Sequence, residues 1–246
     1  PITVSGKSIR ENLNKSRSID HDVIKTVAKP IRKDSGFLVL SGNLFDSALM
    51  KTSVISDEFQ SRFLSEPGSK NVFKAKAVVF EGPEDYHERL NDPNLEIDEK
   101  TILFIRGVGC IGYPGSAEVV NMQPPDKLLR EGITHLPTVG DGRQSGTSES
   151  PSILNASPES VVGGGLAFLK TGDFVTLDLN NCTLNAEVPL IEWEQRKKDW
   201  VPPSIENQTP WQEIYRKNVG QLADGGCLEL ATAYHRIAKH IPRDNH

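Results

Sequence analysis

Cysteine is scarce in this sequence, whose 246 residues contain only Cys110, Cys182 and Cys227. The three cysteines lie far apart and form no Cys-x-x-Cys pair, which excludes a local zinc or redox motif of that kind. A sparse and odd number favours a reducing compartment over a disulfide framework. We therefore expect three structural thiols that pack as small apolar side chains. We also expect a cytoplasmic protein, with a mitochondrial location left open.

Long apolar runs and basic runs are missing as well. No stretch approaches the roughly 18 apolar residues that a membrane-spanning helix needs. The net charge is -5 and Lys and Arg form no cluster, which argues against general nucleic-acid binding. Neither a nucleic acid nor a membrane is therefore expected as a partner.

The chain begins at Pro1, without an initiator methionine. Residues 16–35 are polar and show no clear period, so residues 1–35 are predicted to be a linker arriving from an upstream domain of a truncated or processed chain. Residues 36–188 are predicted to form the main domain. Residues 189–246 are predicted to be a helical tail that packs on it.

Short apolar strands alternate with short helices in the middle of the chain. The predicted strands span residues 37–40, 48–55, 76–80, 101–106, 136–140, 173–179 and 183–188. The predicted helices span residues 8–15, 57–64, 83–90, 116–121, 125–132, 158–169, 189–200, 210–223 and 228–239. Pro83 suits a first helical position and Thr209 an N-cap. This order predicts an α/β fold, with a mixed sheet or small barrel and helices outside it.

One polar loop follows the predicted strand at residues 136–140. It reads Asp141-Gly142-Arg143-Gln144-Ser145-Gly146-Thr147-Ser148-Glu149-Ser150. Loops on a rigid scaffold often carry catalytic residues, so Ser145 is a candidate catalytic serine. The alternative is that Ser145 only caps a turn, because Ser, Gly and Asp are common turn residues.

A second glycine-rich segment, Gly107-Val108-Gly109-Cys110-Ile111-Gly112, matches the dinucleotide-binding pattern and follows a predicted strand. In that motif a helix should run on from the third glycine, but Tyr113-Pro114-Gly115 interrupts it here. The acidic residue expected about 20 positions further on would fall within a predicted helix. We therefore do not assign a nicotinamide or flavin site.

Two further segments read Gly112-Tyr113-Pro114-Gly115-Ser116-Ala117-Glu118-Val119 and Gly140-Asp141-Gly142-Arg143-Gln144-Ser145-Gly146-Thr147. Together they resemble the C-terminal domain of the dihydroxy-acid and 6-phosphogluconate dehydratase family, over about residues 36 to 188. Within the family, the sequence is most similar to the sugar-acid dehydratases that act on arabinonate and xylonate. The segments that indicate this subgroup are residues 82–87, 121–125, 208–213 and 241–246.

The resemblance implies a swivelling β-barrel domain and a hydro-lyase activity. Water would be removed across C2 and C3 of a sugar acid (an aldonate), giving a 2-keto-3-deoxy acid. Ser145 would accept the C2 proton, Thr147 would line the substrate pocket and Glu118 would bind Mg²⁺. A divalent cation lowers the pKa of an adjacent oxygen, so the serine would need no histidine, and a carboxylate is a ligand that Mg²⁺ prefers.

The resemblance also implies partners that this chain lacks. The iron–sulfur cluster and most magnesium ligands would belong to a missing N-terminal domain, with no cluster ligand in this chain. The full enzyme would be a homodimer or homotetramer, and the isolated chain would be inactive.

Several alternatives remain open at this point. Glu118 could be a first-turn glutamate at a helix dipole, Arg143 could bind the substrate carboxylate or hold the loop, and Asp141 could support the site or a turn. The alternative functions are a dihydroxy-acid dehydratase of branched-chain amino acid synthesis and a non-catalytic assembly or binding module.

Overall fold

The computed structural model of the chain describes residues 2–14, 20–31, 36–144 and 149–231. The chain divides into two compact units, Pro1–Ser35 and Gly36–His246. Within the first unit, helix α1 spans Ile9–Leu13 and begins at a capping box, in which Ser8 and Glu11 bond to each other's backbone N–H groups. The short helix expected at this position is confirmed, whereas the linker role of residues 1–35 stays a prediction.

Eight strands of the second unit form a closed barrel in the order β1-β2-β6-β5-β4-β3-β7-β8. The strands are β1 Phe37–Gly42, β2 Phe45–Lys51, β3 Val72–Phe80, β4 Thr101–Ile105, β5 Thr138–Gly140, β6 Ser152–Ser157, β7 Phe174–Asp178 and β8 Thr183–Ala186. Neighbouring strands from β3 through β4 and β5 to β6 are parallel, and β1 and β8 close the barrel in parallel. The remaining pairs are antiparallel. The predicted α/β barrel with a mixed, closed sheet is confirmed.

Residues 77–80 of β3 and 102–105 of β4 are apolar and buried on both faces of the sheet. Alternate residues, such as Ala77 and Phe104, belong to the barrel interior. The residues between them, such as Val78 and Leu103, belong to a second apolar cluster that includes Leu128. Side chains of a strand alternate between its two faces, so a continuous apolar run marks a strand covered on each side.

Short helices flank the barrel at the expected places. They are α2 Asp57–Phe63, α3 Pro83–Arg89, α4 Asp126–Arg130, α5 Leu190–Asp199 and α6 Pro210–Asn218. Pro83 occupies the first turn of α3, and the Thr209 hydroxyl caps α6 by accepting the Gln212 N–H. Helix α6 is shorter than expected, because it ends at Asn218 and is followed by a short 3-10 turn, Leu222–Asp224. Most of the helix predicted at residues 228–239 lies outside the described residues.

Two helix predictions are wrong. Residues 158–169 form two 3-10 turns, Ser160–Val162 and Gly165–Phe168, because a Cβ at Gly164 would lie 1.8 Å from the Pro158 carbonyl oxygen. The glycines of this segment allow the backbone to pack closely against neighbouring backbone, and no continuous helix forms. Residues 116–121 contain no helix. Strand β6 was not predicted, since its pairing with β2 and β5 is long-range.

No helix within the described ranges has the length and apolar character needed to span a bilayer.

Candidate active site

Three parallel strands, β4, β5 and β6, end at one edge of the barrel. Side chains and loops that follow parallel strands meet at this carboxyl edge. Gly107 and Val108 follow β4, Asp141 follows β5, and Ser160 lies just beyond β6. The candidate catalytic loop therefore starts where the loops of its two neighbouring strands also start.

Asp141 joins these three strand ends. Its buried carboxylate accepts the N–H of Gly107 at 3.1 Å and of Val108 at 2.9 Å. It also accepts the Ser160 N–H at 2.8 Å and the Ser160 hydroxyl at 2.7 Å. One carboxylate thus accepts four hydrogen bonds from the ends of two neighbouring strands. Asp141 therefore connects the segments that follow β4, β5 and β6. This observation favours a supporting role at the site over the alternative that Asp141 only stabilises a turn.

Glu159 is a second buried carboxylate at the same edge. It accepts the N–H of Ile111 at 3.0 Å and of Gly112 at 2.9 Å. Burial raises the pKa of the Glu159 carboxyl, the Gly112 and Ile111 N–H groups lower it, and the charge of Asp141 raises it, with a net upward shift. Sequence reasoning missed this residue, because only the fold brings Ile111 and Glu159 together.

These contacts explain the glycine-rich segment at residues 107–112 without a nucleotide. Its backbone N–H groups point at the chain's own carboxylates, Asp141 and Glu159, as such groups in other proteins point at phosphates. The first and last glycines pack together, because a Cβ at Gly112 would lie 2.5 Å from the Gly107 carbonyl oxygen.

Glu118 and Arg143 stand side by side next to the candidate catalytic loop. Arg143 Nη1 donates to Glu118 Oε1 at 3.0 Å, and both side chains are about half exposed. Arg143 Nε also donates to the Ser116 carbonyl at 2.8 Å, and the Arg143 N–H donates to the Ala117 carbonyl at 2.9 Å. Arg143 thus holds the loop, while Glu118 lies in a bend and on no helix, which removes the helix-dipole alternative.

The loop is anchored at both of its described ends. On one side, the Ser152 hydroxyl donates to the Gln144 side-chain oxygen and lies 2.9 Å from the Thr138 hydroxyl. On the other side, the Glu149 carbonyl accepts the Ser56 N–H at 2.8 Å. Residues 145–148 lie outside the described residues, so the roles of Ser145 and Thr147 remain predictions.

Two strained residues flank this loop. Ser116 and Asn155 have positive φ angles of 58° and 57°, a region that residues other than glycine seldom occupy. Ser116 Oγ and Asn155 Oδ1 are also buried without a hydrogen-bond partner. Strain and unsatisfied polar atoms concentrate at functional sites, so these two residues support the assignment of this edge. Nothing in the sequence singled them out.

The segment after α5 packs against the glycine-rich loop. Arg216 donates to the Ile111 carbonyl at 2.8 Å, and the Tyr215 hydroxyl interacts with the Cys110 thiol. Burial, helped by the charge of Glu159, raises the pKa of the Cys110 thiol. A buried thiol with a raised pKa is a poor nucleophile, which supports the prediction of a structural thiol at this position.

The described residues contain no group of three or more His, Cys, Asp or Glu side chains that could hold a metal ion. The cysteines in this part of the chain are free, and only Cys110 is buried. They do not fit an iron–sulfur cluster, which needs several thiolates at one place. Glu118 does fit Mg²⁺ as a single hard oxygen ligand, because its carboxylate is half exposed at the carboxyl edge.

The known proteins that this chain matches are dehydratases. The family model described as dihydroxy-acid/6-phosphogluconate dehydratase C-terminal matches residues 22–227. D-xylonate dehydratase of Caulobacter vibrioides is 56% identical over 245 residues, which are 100% of this chain and 41% of that protein. L-arabinonate dehydratase of Rhizobium leguminosarum is 37% identical over 93% of this chain and 38% of its own length.

A more distant relative is dihydroxy-acid dehydratase of Acetivibrio thermocellus. It is 31% identical over 93% of this chain and 39% of its own length. The chain thus spans about two fifths of the length of the curated relatives it matches.

Proposed function

This chain belongs to the dihydroxy-acid/6-phosphogluconate dehydratase family, whose C-terminal domain it matches, and we propose that it is the C-terminal catalytic part of a sugar-acid dehydratase. The 56% identity to a D-xylonate dehydratase across the whole chain carries the proposal. The 31% identity to a dihydroxy-acid dehydratase is much lower, which favours an aldonate over a branched dihydroxy acid.

The proposed reaction is the elimination of water from a 2,3-dihydroxy acid. The C2–H and C3–O bonds break and a C2–C3 double bond forms. The C3 hydroxyl takes up one proton, equivalent to the one removed from C2, and leaves as water. The resulting enol tautomerises to a 2-keto-3-deoxy acid. Ser145 takes the C2 proton with its ionised hydroxyl oxygen. A bound Mg²⁺ would supply the positive charge that lowers the pKa of that hydroxyl.

The chain's own residues would divide the remaining work. Glu118 would hold Mg²⁺ with its carboxylate, which also accepts a hydrogen bond from Arg143. Arg143 would hold the first half of the loop against residues 116–118 through its hydrogen bonds to them. Thr147 would line the substrate pocket. The iron–sulfur cluster has no site among the described residues, and we propose that the N-terminal part of the longer protein holds it.

A substrate panel tests this function. The longer protein that includes this chain is expected to release 2-keto-3-deoxy acids from pentonates or hexonates. Its kcat/KM for the best aldonate should exceed that for a branched 2,3-dihydroxy acid by about 100-fold or more, because a site built to bind hydroxyl groups rejects analogues that lack them.

The 246-residue chain by itself serves as the comparison in this assay and should give no measurable turnover. Preference for the branched acid would overturn the proposed substrate class. Turnover by the isolated chain would overturn the division of the site between two domains.

Glu118→Gln is expected to weaken Mg²⁺ binding by the longer protein about 10-fold to 100-fold, the range typical for disturbed metal sites. The amide oxygen still accepts from Arg143, so the substitution removes the charge but retains the loop contact. Isothermal titration calorimetry with Mg²⁺ measures the change.

Glu149→Gln is the matched control for this measurement. Glu149 lies at the other end of the same loop, where its carboxylate faces His135 at 3.6 Å, and its replacement should leave the Mg²⁺ affinity unchanged. Equal affinities for the Glu118 variant and the unaltered protein would remove Glu118 from the metal site.

A further inference from the structure

We propose that Gln221 is a positioning residue, which fixes buried Glu159 and thereby sets the location of the loop that carries Glu118. The inference rests on the proposed function, because it takes Glu118 to be a magnesium ligand. It adds a part of the chain, the turn after α6, that neither the sequence motifs nor the proposed mechanism uses.

Gln221 and Glu159 are joined by two hydrogen bonds. The Glu159 backbone N–H donates to Gln221 Oε1 at 2.8 Å, and Gln221 Nε2 donates to Glu159 Oε1 at 3.0 Å. The amide uses one donor and one acceptor, so it fits this partner in a single orientation. Gln221 therefore fixes both the backbone and the carboxylate of Glu159.

The turn that carries Gln221 is itself held in place. The Gly220 N–H donates to the Cys227 carbonyl at 2.9 Å, and the Ala223 N–H donates to the Ser157 hydroxyl at 3.3 Å. Ser157 is the last residue of β6. The turn thus rests on the end of a barrel strand and gives Gln221 a rigid base.

Glu159, held by Gln221, in turn binds the backbone of the glycine-rich loop. Its carboxylate accepts the Ile111 and Gly112 N–H groups, and four residues later the chain reaches buried Ser116, whose N–H donates to the Tyr113 carbonyl at 2.8 Å. Glu118 follows two residues further on. Without Glu159 in place, the segment that ends in Glu118 would lose the contacts of Ile111 and Gly112.

A second contact, from α6, acts on the same loop. Arg216 donates to the Ile111 carbonyl at 2.8 Å and to the Gly112 carbonyl at 3.4 Å. In both residues, therefore, the N–H group bonds to Glu159 and the carbonyl bonds to Arg216. This arrangement restrains the loop without any contact to Glu118, as expected for residues that orient a metal ligand from behind.

Hydrogen exchange on the 246-residue chain tests the first step. Gln221→Ala is expected to speed exchange of backbone amides in residues 109–118 about tenfold, because two hydrogen bonds that restrain local opening are lost. Amides of β3 and β4 should keep their exchange rates. Gln195→Ala is the matched control, since the Gln195 side chain bonds to Asp199 within α5 and its loss should change nothing at residues 109–118.

Calorimetry with Mg²⁺ on the longer protein tests the second step. Gln221→Ala should weaken Mg²⁺ binding about tenfold, while Gln195→Ala leaves it unchanged. Arg216→Lys, compared with Arg130→Lys at an exposed side chain of α4, should act in the same direction if Gln221→Ala proves too unstable to study.

The outcomes separate the two proposals. If Glu118→Gln leaves Mg²⁺ binding unchanged, the proposed metal site fails. If Glu118→Gln weakens binding but Gln221→Ala and Arg216→Lys do not, the positioning role of this turn fails. Unchanged exchange at residues 109–118 in Gln221→Ala would overturn the proposed role in either case.

Discussion

Replacement of Ser145 by alanine is expected to lower kcat for aldonate dehydration by about a thousandfold. A positioned proton acceptor contributes roughly 100-fold to 10,000-fold to a rate, and an alanine cannot accept the C2 proton. A serine hydroxyl is a weak base unless a cation lowers its pKa. Because the proposed role of Ser145 is to accept the proton and that of Glu118 is to bind the metal, Ser145→Ala should lower kcat rather than the Mg²⁺ affinity. Steady-state assays of the longer protein on its best aldonate, with calorimetry for Mg²⁺, measure both quantities.

Ser61→Ala is a suitable control for this substitution. Ser61 lies on α2, and its hydroxyl donates to the Glu58 carbonyl at 3.0 Å, so its removal should change kcat less than twofold. Deuterium at C2 of the substrate gives an independent measurement, because proton removal from C2 would then limit the residual rate. Ser145→Ala with unchanged kcat would show that another group takes the proton.

Replacement of Asp141 by alanine is expected to reduce the free energy of unfolding by about 3 kcal/mol or more. The substitution leaves the buried N–H groups of Val108 and Ser160 without their acceptor, and each unsatisfied donor costs about 1–3 kcal/mol. The loss is large because one carboxylate connects three strand ends. Urea unfolding of the 246-residue chain, followed by tryptophan fluorescence, measures it.

Asp46→Ala provides the comparison for Asp141→Ala. Asp46 lies exposed on β2, and an exposed substitution of this kind changes stability by about 0.5 kcal/mol or less. If Asp141→Ala cost no more than Asp46→Ala, the hydrogen bonds at the carboxyl edge would not contribute to the stability of the barrel.

Asp141→Ala should also weaken the proposed Mg²⁺ binding by the longer protein, since the start of the candidate catalytic loop would lose its fixed position. Supporting groups around a site typically alter metal affinity by about 10-fold to 100-fold. The two effects would share one cause, because Arg143 lies two residues after Asp141 and contacts Glu118.

Local patterns predicted most of the barrel. Strands β3 and β4 were found from continuous apolar runs, and α3 and α6 from Pro83 and Thr209. These features depend on residues close together in the sequence, where alternation, capping and turn preferences act directly. The position of the candidate loop after β5, and its basic and hydroxyl residues, could also be read from the sequence.

Predictions failed where backbone contacts between distant residues override local preference. Residues 158–169 were predicted to be helical, but Gly164 packs against the Pro158 carbonyl and breaks the segment into two turns. Residues 116–121 were also predicted to be helical, but their backbone bonds instead to Arg143. Strand β6 is defined by β2 and β5 and has little pattern of its own.

The sequence by itself determined the alternation of strands and helices, and the residues that resemble a dehydratase loop. Only the tertiary structure decided how the site is supported. Asp141 bonds to residues 33 and 19 positions away, and Gln221 bonds to one 62 positions away. No sequence periodicity or fixed spacing predicts such pairs. The closed barrel brings the partners of Asp141 together by aligning the carboxyl ends of its parallel strands, and the turn after α6 brings Gln221 to the same edge.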